Sequence, residues 1–112
     1  VEITGVRVFS KTDVIYIDIG SGRADVIQIH DSLNRNSLAF EEPYKFCPHI
    51  TLAQAIPPDQ LSGCVELARR RWEEWAGPKS YVIDTLTLVQ NTMGNNWINL
   101  TSCELAEPAI RV

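Results

Sequence analysis

The chain has 112 residues, the length of one domain, so we predict a single domain over residues 1–112. Its residues are 45% hydrophobic and 21% charged, a composition typical of globular proteins. The net charge of −4 argues against a broad electrostatic grip on duplex nucleic acid, although it leaves room for a nucleotide or an RNA end in a local pocket.

Cysteine usage and the hydrophobic pattern bear on the cellular location. No apolar stretch approaches the ~20 residues that a membrane span requires. The three cysteines are scattered and odd in number, which fits reduced thiols better than a disulfide framework. We therefore expect a cytoplasmic protein with no membrane partner.

Seven elements are predicted in chain order. Alternation of apolar and polar residues over 2–9 and 14–19 predicts two strands joined as a hairpin. A helix is predicted from residue 21 to about 34, a strand over 49–54, and a second helix from the prolines at 57 and 58 to the Gly-Pro stop at 77. Strands over 81–90 and 97–103 complete the order β-β-α-β-α-β-β. This order indicates an α+β fold, with a mainly antiparallel sheet and two helices packed on it.

The second predicted helix has an apolar stripe and a charged face. The stripe falls at helical spacing, and we expect its members to be core residues: Leu61, Val65, Ala68, Trp72 and Trp75. The arginines at 69–71 resemble a basic patch, but Arg69 and Arg70 lie four residues from glutamates on the same helix. A solvated, ion-paired face is therefore the better interpretation.

The sequence FCPHITLA at residues 46–53 carries the strongest chemical signal. Pro48 precedes a short alternating run, so a strand is predicted to open immediately after it. Alternate strand residues share a face, about 6.5–7 Å apart. His49 and Thr51 then point one way, while Ile50 and Leu52 point toward a core. An imidazole beside a hydroxyl suits a phosphate oxygen that must be held and protonated.

This segment resembles the His-x-Thr motif of the two-histidine (2H) phosphoesterases, which include 2′–5′ RNA ligases and cyclic phosphodiesterases. The element order also resembles the second half of that family's bilobal fold. The resemblance implies that His49 is one of two acid/base histidines acting on RNA-type 2′,3′-cyclic phosphates or 2′–5′ phosphodiesters. It implies that Thr51 holds the phosphoryl oxygens. It also implies that no metal and no cofactor is required, since positioning and charge stabilisation carry phosphoryl transfer.

Several residues are candidates for contact with an RNA end or a cyclic nucleotide, the partner that the resemblance implies. Aromatic side chains hold single-stranded RNA by stacking on its bases, and Tyr16, Tyr44, Phe46 and Trp97 are the candidates for this role. Gln90 lies where members of the family often place an arginine or serine near the phosphate. We therefore predict a substrate-binding set of Tyr44, Phe46, Gln90 and Trp97.

The family normally has two His-x-Thr motifs, and only one is convincing here. The chain begins at Val1 without a methionine, so we expect the N-terminal half with the first motif to be absent from this sequence. We then expect the fragment to be inactive alone and to self-associate through apolar surface left exposed. The alternative is a non-catalytic lobe that binds a nucleotide or phosphate, or that serves only in assembly.

The second formal motif match is His30-Asp31-Ser32, and we interpret it as structural. Val26, Ile29, His30 and Leu33 fall at i, i+3, i+4 and i+7, which predicts a helix. A helix does not place residues two apart on one face. We therefore expect His30 to be a packing or capping residue located away from His49.

Cys47 has the same parity as His49, so a Cys–His nucleophile or a metal pair must be weighed. Pro48 separates the two residues, and no third or fourth ligand stands at metal spacing. We predict that Cys47 packs as a small hydrophobic residue.

Overall fold

The structure is a computed structural model of the chain, and it describes residues 1–94 and 96–105. The chain forms two compact units, residues 1–81 and the segment from residue 82 onward, and each is described by itself. The predicted α+β class and the order β-β-α-β-α-β-β are confirmed. That the chain is a single domain stays a prediction.

The first unit is built on a three-stranded antiparallel sheet. Strands β1 (Ile3–Val8), β2 (Ile15–Ile19) and β3 (His49–Ala53) lie in the order β1-β2-β3, so β2 is central. Cross-strand partners share a face of a sheet, and the register therefore sorts the side chains into two faces. One face is called the apolar face, because Ile17 lies opposite both Val6 and Ile50 on it.

A bulge interrupts the pairing of β2 with β3. Tyr16 pairs with Thr51 and the preceding residue, Ile15, pairs with Ala53, so Leu52 is the additional residue on β3. The bulge lies immediately after the His-x-Thr segment, and the alternation of His49, Ile50 and Thr51 is undisturbed.

Two helices accompany this sheet. Helix α1 (Arg23–Leu33) begins after Gly22, whose φ of +88° favours glycine. Helix α2 (Leu61–Glu74) follows a 3₁₀ turn over Pro58–Gln60 and packs against β1 on the apolar face. None of the helices in the part of the chain that is described is long and apolar enough to cross a bilayer.

The apolar face is only partly covered. Three residues of β1 and β2 are buried on this face, Ile3, Ile15 and Ile19, and Ile15 is the most enclosed of them at 1% exposed. Tyr16 is buried on the opposite face. Ile50 and Leu52 on β3 remain 45% and 46% exposed. An apolar cavity of about 360 Å³ lies between β3, β1 and helix α2. The core is thus centred on β1 and β2, and the strand that carries the motif lies at its margin.

The prediction that Trp75 is a core residue is wrong. Helix α2 ends at Glu74, and Trp75 has an extended backbone and is 48% exposed. Its indole Nε1 donates a hydrogen bond to the carbonyl of Pro78 at 3.2 Å, and its ring lies over Gly77. The helical geometry stops before this last member of the stripe. The other predicted core members, Leu61, Val65, Ala68 and Trp72, are half-buried, and none is fully enclosed.

The position of the Trp75 indole leaves no space for a side chain at residue 77, so a substitution of Gly77 tests this packing. A Cβ at residue 77 would overlap the six-membered ring of Trp75. We expect Gly77→Ala to lower the free energy of unfolding by about 1–3 kcal/mol, because the ring must leave its place over the turn. Gly63→Ala is the matched control, since a Cβ at Gly63 meets no atom within 4 Å. Equal stability of the two variants in urea unfolding would contradict the expectation.

The second unit contains a two-stranded antiparallel hairpin of β4 (Thr85–Thr92) and β5 (Asn96–Glu104). Strand β4 begins four residues later than predicted. The reason is that Lys79 and Tyr81 make backbone hydrogen bonds with Ile3 and Val1, each at 2.8 Å, so this segment pairs beside β1. The turn is also tighter than predicted, with Gly94 at a φ of +88°.

Candidate functional site

The second face of the three-stranded sheet is polar, and it carries the His-x-Thr pair. In one row across the strands, Thr51 lies opposite Tyr16, which lies opposite Arg7. In the next row His49 lies opposite Asp18. His49 and Thr51 are both exposed. Their predicted placement on one face of a strand, with Ile50 on the other, is confirmed.

The orientation of the His49 ring is set by a backbone hydrogen bond. Nδ1 of His49 lies 2.6 Å from the carbonyl oxygen of Cys47. A carbonyl can only accept, so Nδ1 donates and carries the proton when the ring is neutral. Nε2 then holds the lone pair, and no hydrogen bond to it is found among residues 1–94 and 96–105. The ring can therefore take or give a proton at Nε2.

Two aromatic rings form a wall beside His49. Phe9 and Tyr16 stack with their centroids 3.9 Å apart, at an interplanar angle of 16°. The imidazole stands edge-on to both, with centroid distances of 5.0 Å to Phe9 and 5.5 Å to Tyr16. Burial raises the pKa of the Tyr16 phenol, and the nearby Cys47 and Asp18 add to this effect. Tyr16 thus remains a neutral, fixed ring against which His49 is held.

A charged cluster is centred on Asp18, which lies opposite His49 on the neighbouring strand. The Asp18 carboxylate accepts a hydrogen bond from Nε of Arg7 at 3.2 Å and one from Nη1 of Arg23 at 3.1 Å. Arg23 is the first residue of helix α1, and its Nη2 also donates to Sγ of Cys47 at 3.3 Å. The cluster therefore joins β1, β2 and the segment before β3 to the start of α1. The prediction that Cys47 packs as a simple hydrophobic residue is incomplete, because its sulfur accepts a hydrogen bond.

The predicted binding residues Tyr44 and Phe46 lie in the segment before β3. Phe46 stacks on His30, with centroids 3.8 Å apart and an interplanar angle of 3°. Tyr44 is 53% exposed, and the Lys11 ammonium lies 5.9 Å from the centroid of its ring. Tyr44 is thus accessible to solvent, whereas one face of the Phe46 ring is covered by His30. A substrate-binding role for either residue stays a prediction.

Gln90 and Trp97, the other two predicted binding residues, belong to the hairpin. Gln90 pairs with Ile98, and Asn91 pairs with Trp97. Since paired residues share a face and neighbours alternate, Gln90 and Trp97 lie on opposite faces of the hairpin. A ligand on one face of the hairpin meets one of these two residues. Their binding role stays a prediction.

His30 is a helix residue, as predicted. It lies in α1, where Nδ1 is 3.0 Å from the carboxylate of Asp31 and Nε2 pairs with the carboxylate of Glu42. Glu42 also accepts a hydrogen bond from the Asn34 amide at 3.3 Å. His30 therefore ties the segment before β3 to helix α1. Its partners differ from the aromatic wall and the backbone carbonyl that hold His49.

The paired carboxylates give His30 a defined influence on stability. The hydrogen bond with Asp31 is the main cause that raises the pKa of His30, and Glu42 adds to it. A raised folded-state pKa means that the pair stabilises the fold fully below about pH 6.5, the unfolded value. This stabilisation is lost as pH rises through the folded-state pKa. We expect His30→Gln to lower the melting temperature more at pH 5.5 than at pH 8.5. Gln28→Ala, on the same helix, is the control, and its melting temperature should differ from the native value by the same amount at both pH values. If the difference for His30→Gln were also the same at both pH values, the expected stabilisation by protonated His30 would be contradicted.

Four residues of the site were not singled out from the sequence: Arg7, Phe9, Asp18 and Arg23. Arg7 and Asp18 carried a signal, because each is a charged residue inside a largely apolar strand, and Asp18 has the parity of Tyr16. Arg23 carried none, since its contact with Cys47 spans 24 residues of sequence.

An α+β fold with antiparallel strands and an exposed His-x-Thr pair on one strand is the arrangement expected of the 2H phosphoesterases. The profile of the 2′-5′ RNA ligase superfamily matches residues 1–95, and the chain belongs to this superfamily. The predicted resemblance is thereby confirmed. A comparison with characterised protein sequences gives no match.

Proposed function

We propose that this domain handles RNA-type 2′,3′-cyclic phosphates or 2′–5′ phosphodiesters, with His49 as an acid/base group and Thr51 as a phosphate ligand. One observation carries the proposal. The carbonyl of Cys47 holds the proton of His49 on Nδ1, and Nε2 is left for the substrate on the exposed face that also presents the Thr51 hydroxyl.

The chemistry requires two proton transfers. When water opens a 2′,3′-cyclic phosphate, one group removes a proton from the water and another protonates the departing ribose oxygen. Nε2 of His49 is suited to either transfer. Because it lies on the same strand face, the hydroxyl of Thr51 can donate a hydrogen bond to a phosphoryl oxygen and fix the phosphorus near the imidazole.

The second acid/base group would come from outside this chain. The sequence has two histidines, and His30 is bound to two carboxylates on the side of helix α1. We therefore expect the chain alone to bind a cyclic nucleotide weakly and to turn it over at a rate at least about 10²-fold below that of a protein supplying both groups.

A second candidate function is a lobe that binds a nucleotide or phosphate without catalysis. The lone acid/base histidine on the polar face favours it. Titration of the ¹⁵N-labelled chain with adenosine 2′,3′-cyclic phosphate tests the shared part of both candidates. Shifts at His49, Thr51 and Tyr16, with His30 unmoved, would support the site. Shifts confined to other residues would contradict both candidates.

Turnover separates the two candidates. The same cyclic nucleotide is incubated with the longest natural form of the protein, and the products are separated by chromatography. Hydrolysis that is lost in His49→Ala supports the enzyme. Binding at His49 without hydrolysis supports the non-catalytic lobe.

A further inference from the structure

A continuous set of contacts leads from the sheet to the imidazole of His49. Arg23 donates from Nη1 to Asp18 at 3.1 Å and to the carbonyl of Ile19 at 3.3 Å, and from Nη2 to Sγ of Cys47 at 3.3 Å. The carbonyl of Cys47 in turn accepts the hydrogen bond from Nδ1 of His49. The proposed function uses only the last of these contacts.

The position of residue 47 matters because its carbonyl selects the tautomer of His49. If that oxygen moves away, Nδ1 loses its acceptor and the proton is free to settle on Nε2. A neutral His49 with its proton on Nε2 has no lone pair there to accept a proton from the substrate side. The acid/base capacity of the exposed nitrogen thus depends on where the Cys47 peptide lies.

The sheet itself does not hold residue 47. Strand β3 begins at His49, so Cys47 and Pro48 precede the ladder. Pro48 restricts residue 47 to extended conformations, but it has no N–H with which to pair to β2. In the part of the chain that is described, the neighbouring Phe46 stacks on His30 of α1, and Pro48 is buried. The sulfur–guanidinium contact is the hydrogen bond that links Cys47 itself to Arg23, which Asp18 and Ile19 anchor beside β2.

We infer that Arg23 is a positioning residue, which holds Cys47 so that its carbonyl keeps the proton of His49 on Nδ1. The importance of this role for catalysis rests on the proposed function. The tautomer of His49 itself can be measured on the protein without substrate. Arg23 therefore acts through Cys47 and touches neither His49 nor a phosphate in this scheme.

The test is the tautomer of His49, measured by long-range ¹H–¹⁵N correlation NMR at a pH where the ring is neutral. The variants are Arg23→Met, Cys47→Ala and the double variant. We expect each single change to lower the ratio of Nδ1–H to Nε2–H about tenfold, the effect of losing about one net hydrogen bond. The double variant should lower it no further, because both changes break the same contact.

Arg7→Met is the matched control. Arg7 also pairs with Asp18, through Nε at 3.2 Å, and it lies on the same face. Among residues 1–94 and 96–105, Asp18 is the one side chain with which Arg7 forms a hydrogen bond. The ratio in this control should stay within about twofold of the native value. An unchanged ratio in Arg23→Met or in Cys47→Ala overturns the inference, as does an equal fall in Arg7→Met. If Arg23→Met fails to fold, Cys47→Ala and the control still decide.

The two proposals fail separately. A native tautomer in Arg23→Met overturns the positioning role and leaves the proposed phosphoesterase function standing. Absence of cyclic-nucleotide binding overturns the proposed function and leaves the tautomer result intact.

Discussion

His49→Ala is expected to lower turnover of a 2′,3′-cyclic nucleotide by about 10²–10⁴-fold in the form of the protein that supplies both acid/base groups. The loss follows because alanine can neither take a proton from water nor give one to the ribose oxygen. Residue 49 is exposed, so the packing that is lost with the ring is its edge contact with Phe9 and Tyr16. The measurement is kcat under saturating substrate, alongside a circular dichroism spectrum. Equal rates in the native protein and the variant would end the claim that His49 is catalytic.

His30→Gln is the matched control for that experiment. It removes the other histidine of the chain, which is bound to Asp31 and Glu42, and its rate should stay within about threefold of native. Thr51 offers a second comparison on the same strand. Thr51→Ser keeps the hydroxyl and should retain most of the activity, whereas Thr51→Ala should raise KM because a phosphate ligand is lost.

Ile15→Ala is expected to cost about 2–5 kcal/mol of unfolding free energy, the largest stability effect that we anticipate for a single substitution. Ile15 is 1% exposed on the central strand β2, so truncation leaves a cavity that its neighbours cannot fill. Ile50→Ala is the control, since Ile50 is 45% exposed and should cost about 1–2 kcal/mol.

Urea unfolding, monitored through the amide NMR signals of β1, β2 and β3, gives the unfolding free energy of the first unit for both variants. The comparison is informative because both residues are isoleucines on strands of one sheet. Equal costs for the two variants would show that burial near β3 is greater than the structure indicates.

The periodic elements could be predicted from the sequence because their signals are local. Alternation located β1, β2 and β3, and the parity of His49 and Thr51 placed both on one face. Spacing at i, i+3, i+4 and i+7 predicted helix α1 and placed His30 on this helix, so that it was distinguished from the strand motif that contains His49. The incorrect predictions concern the ends of elements. Helix α2 ends before Trp75, and β4 begins later than predicted, because tertiary hydrogen bonds decide such boundaries.

The charged cluster could not be predicted, since it depends on distant pairings. Asp18 is 31 positions before His49 in sequence, and only the antiparallel register of β2 with β3 places them opposite each other. The contact between Arg23 and Cys47 depends in addition on the direction in which α1 begins after Gly22. Stacking of Phe46 on His30 likewise follows from the path of the segment before β3.

The bulge at Leu52 has a consequence for how this domain tolerates changes of length. Residues 49–51 must keep their spacing, because a one-residue change there would send the hydroxyl of residue 51 to the opposite face. Leu52 already breaks the ladder, so the pleat is reset after it. Insertions and deletions should therefore accumulate on the C-terminal side of Leu52 in natural and engineered variants, and the three residues before it should remain fixed in number.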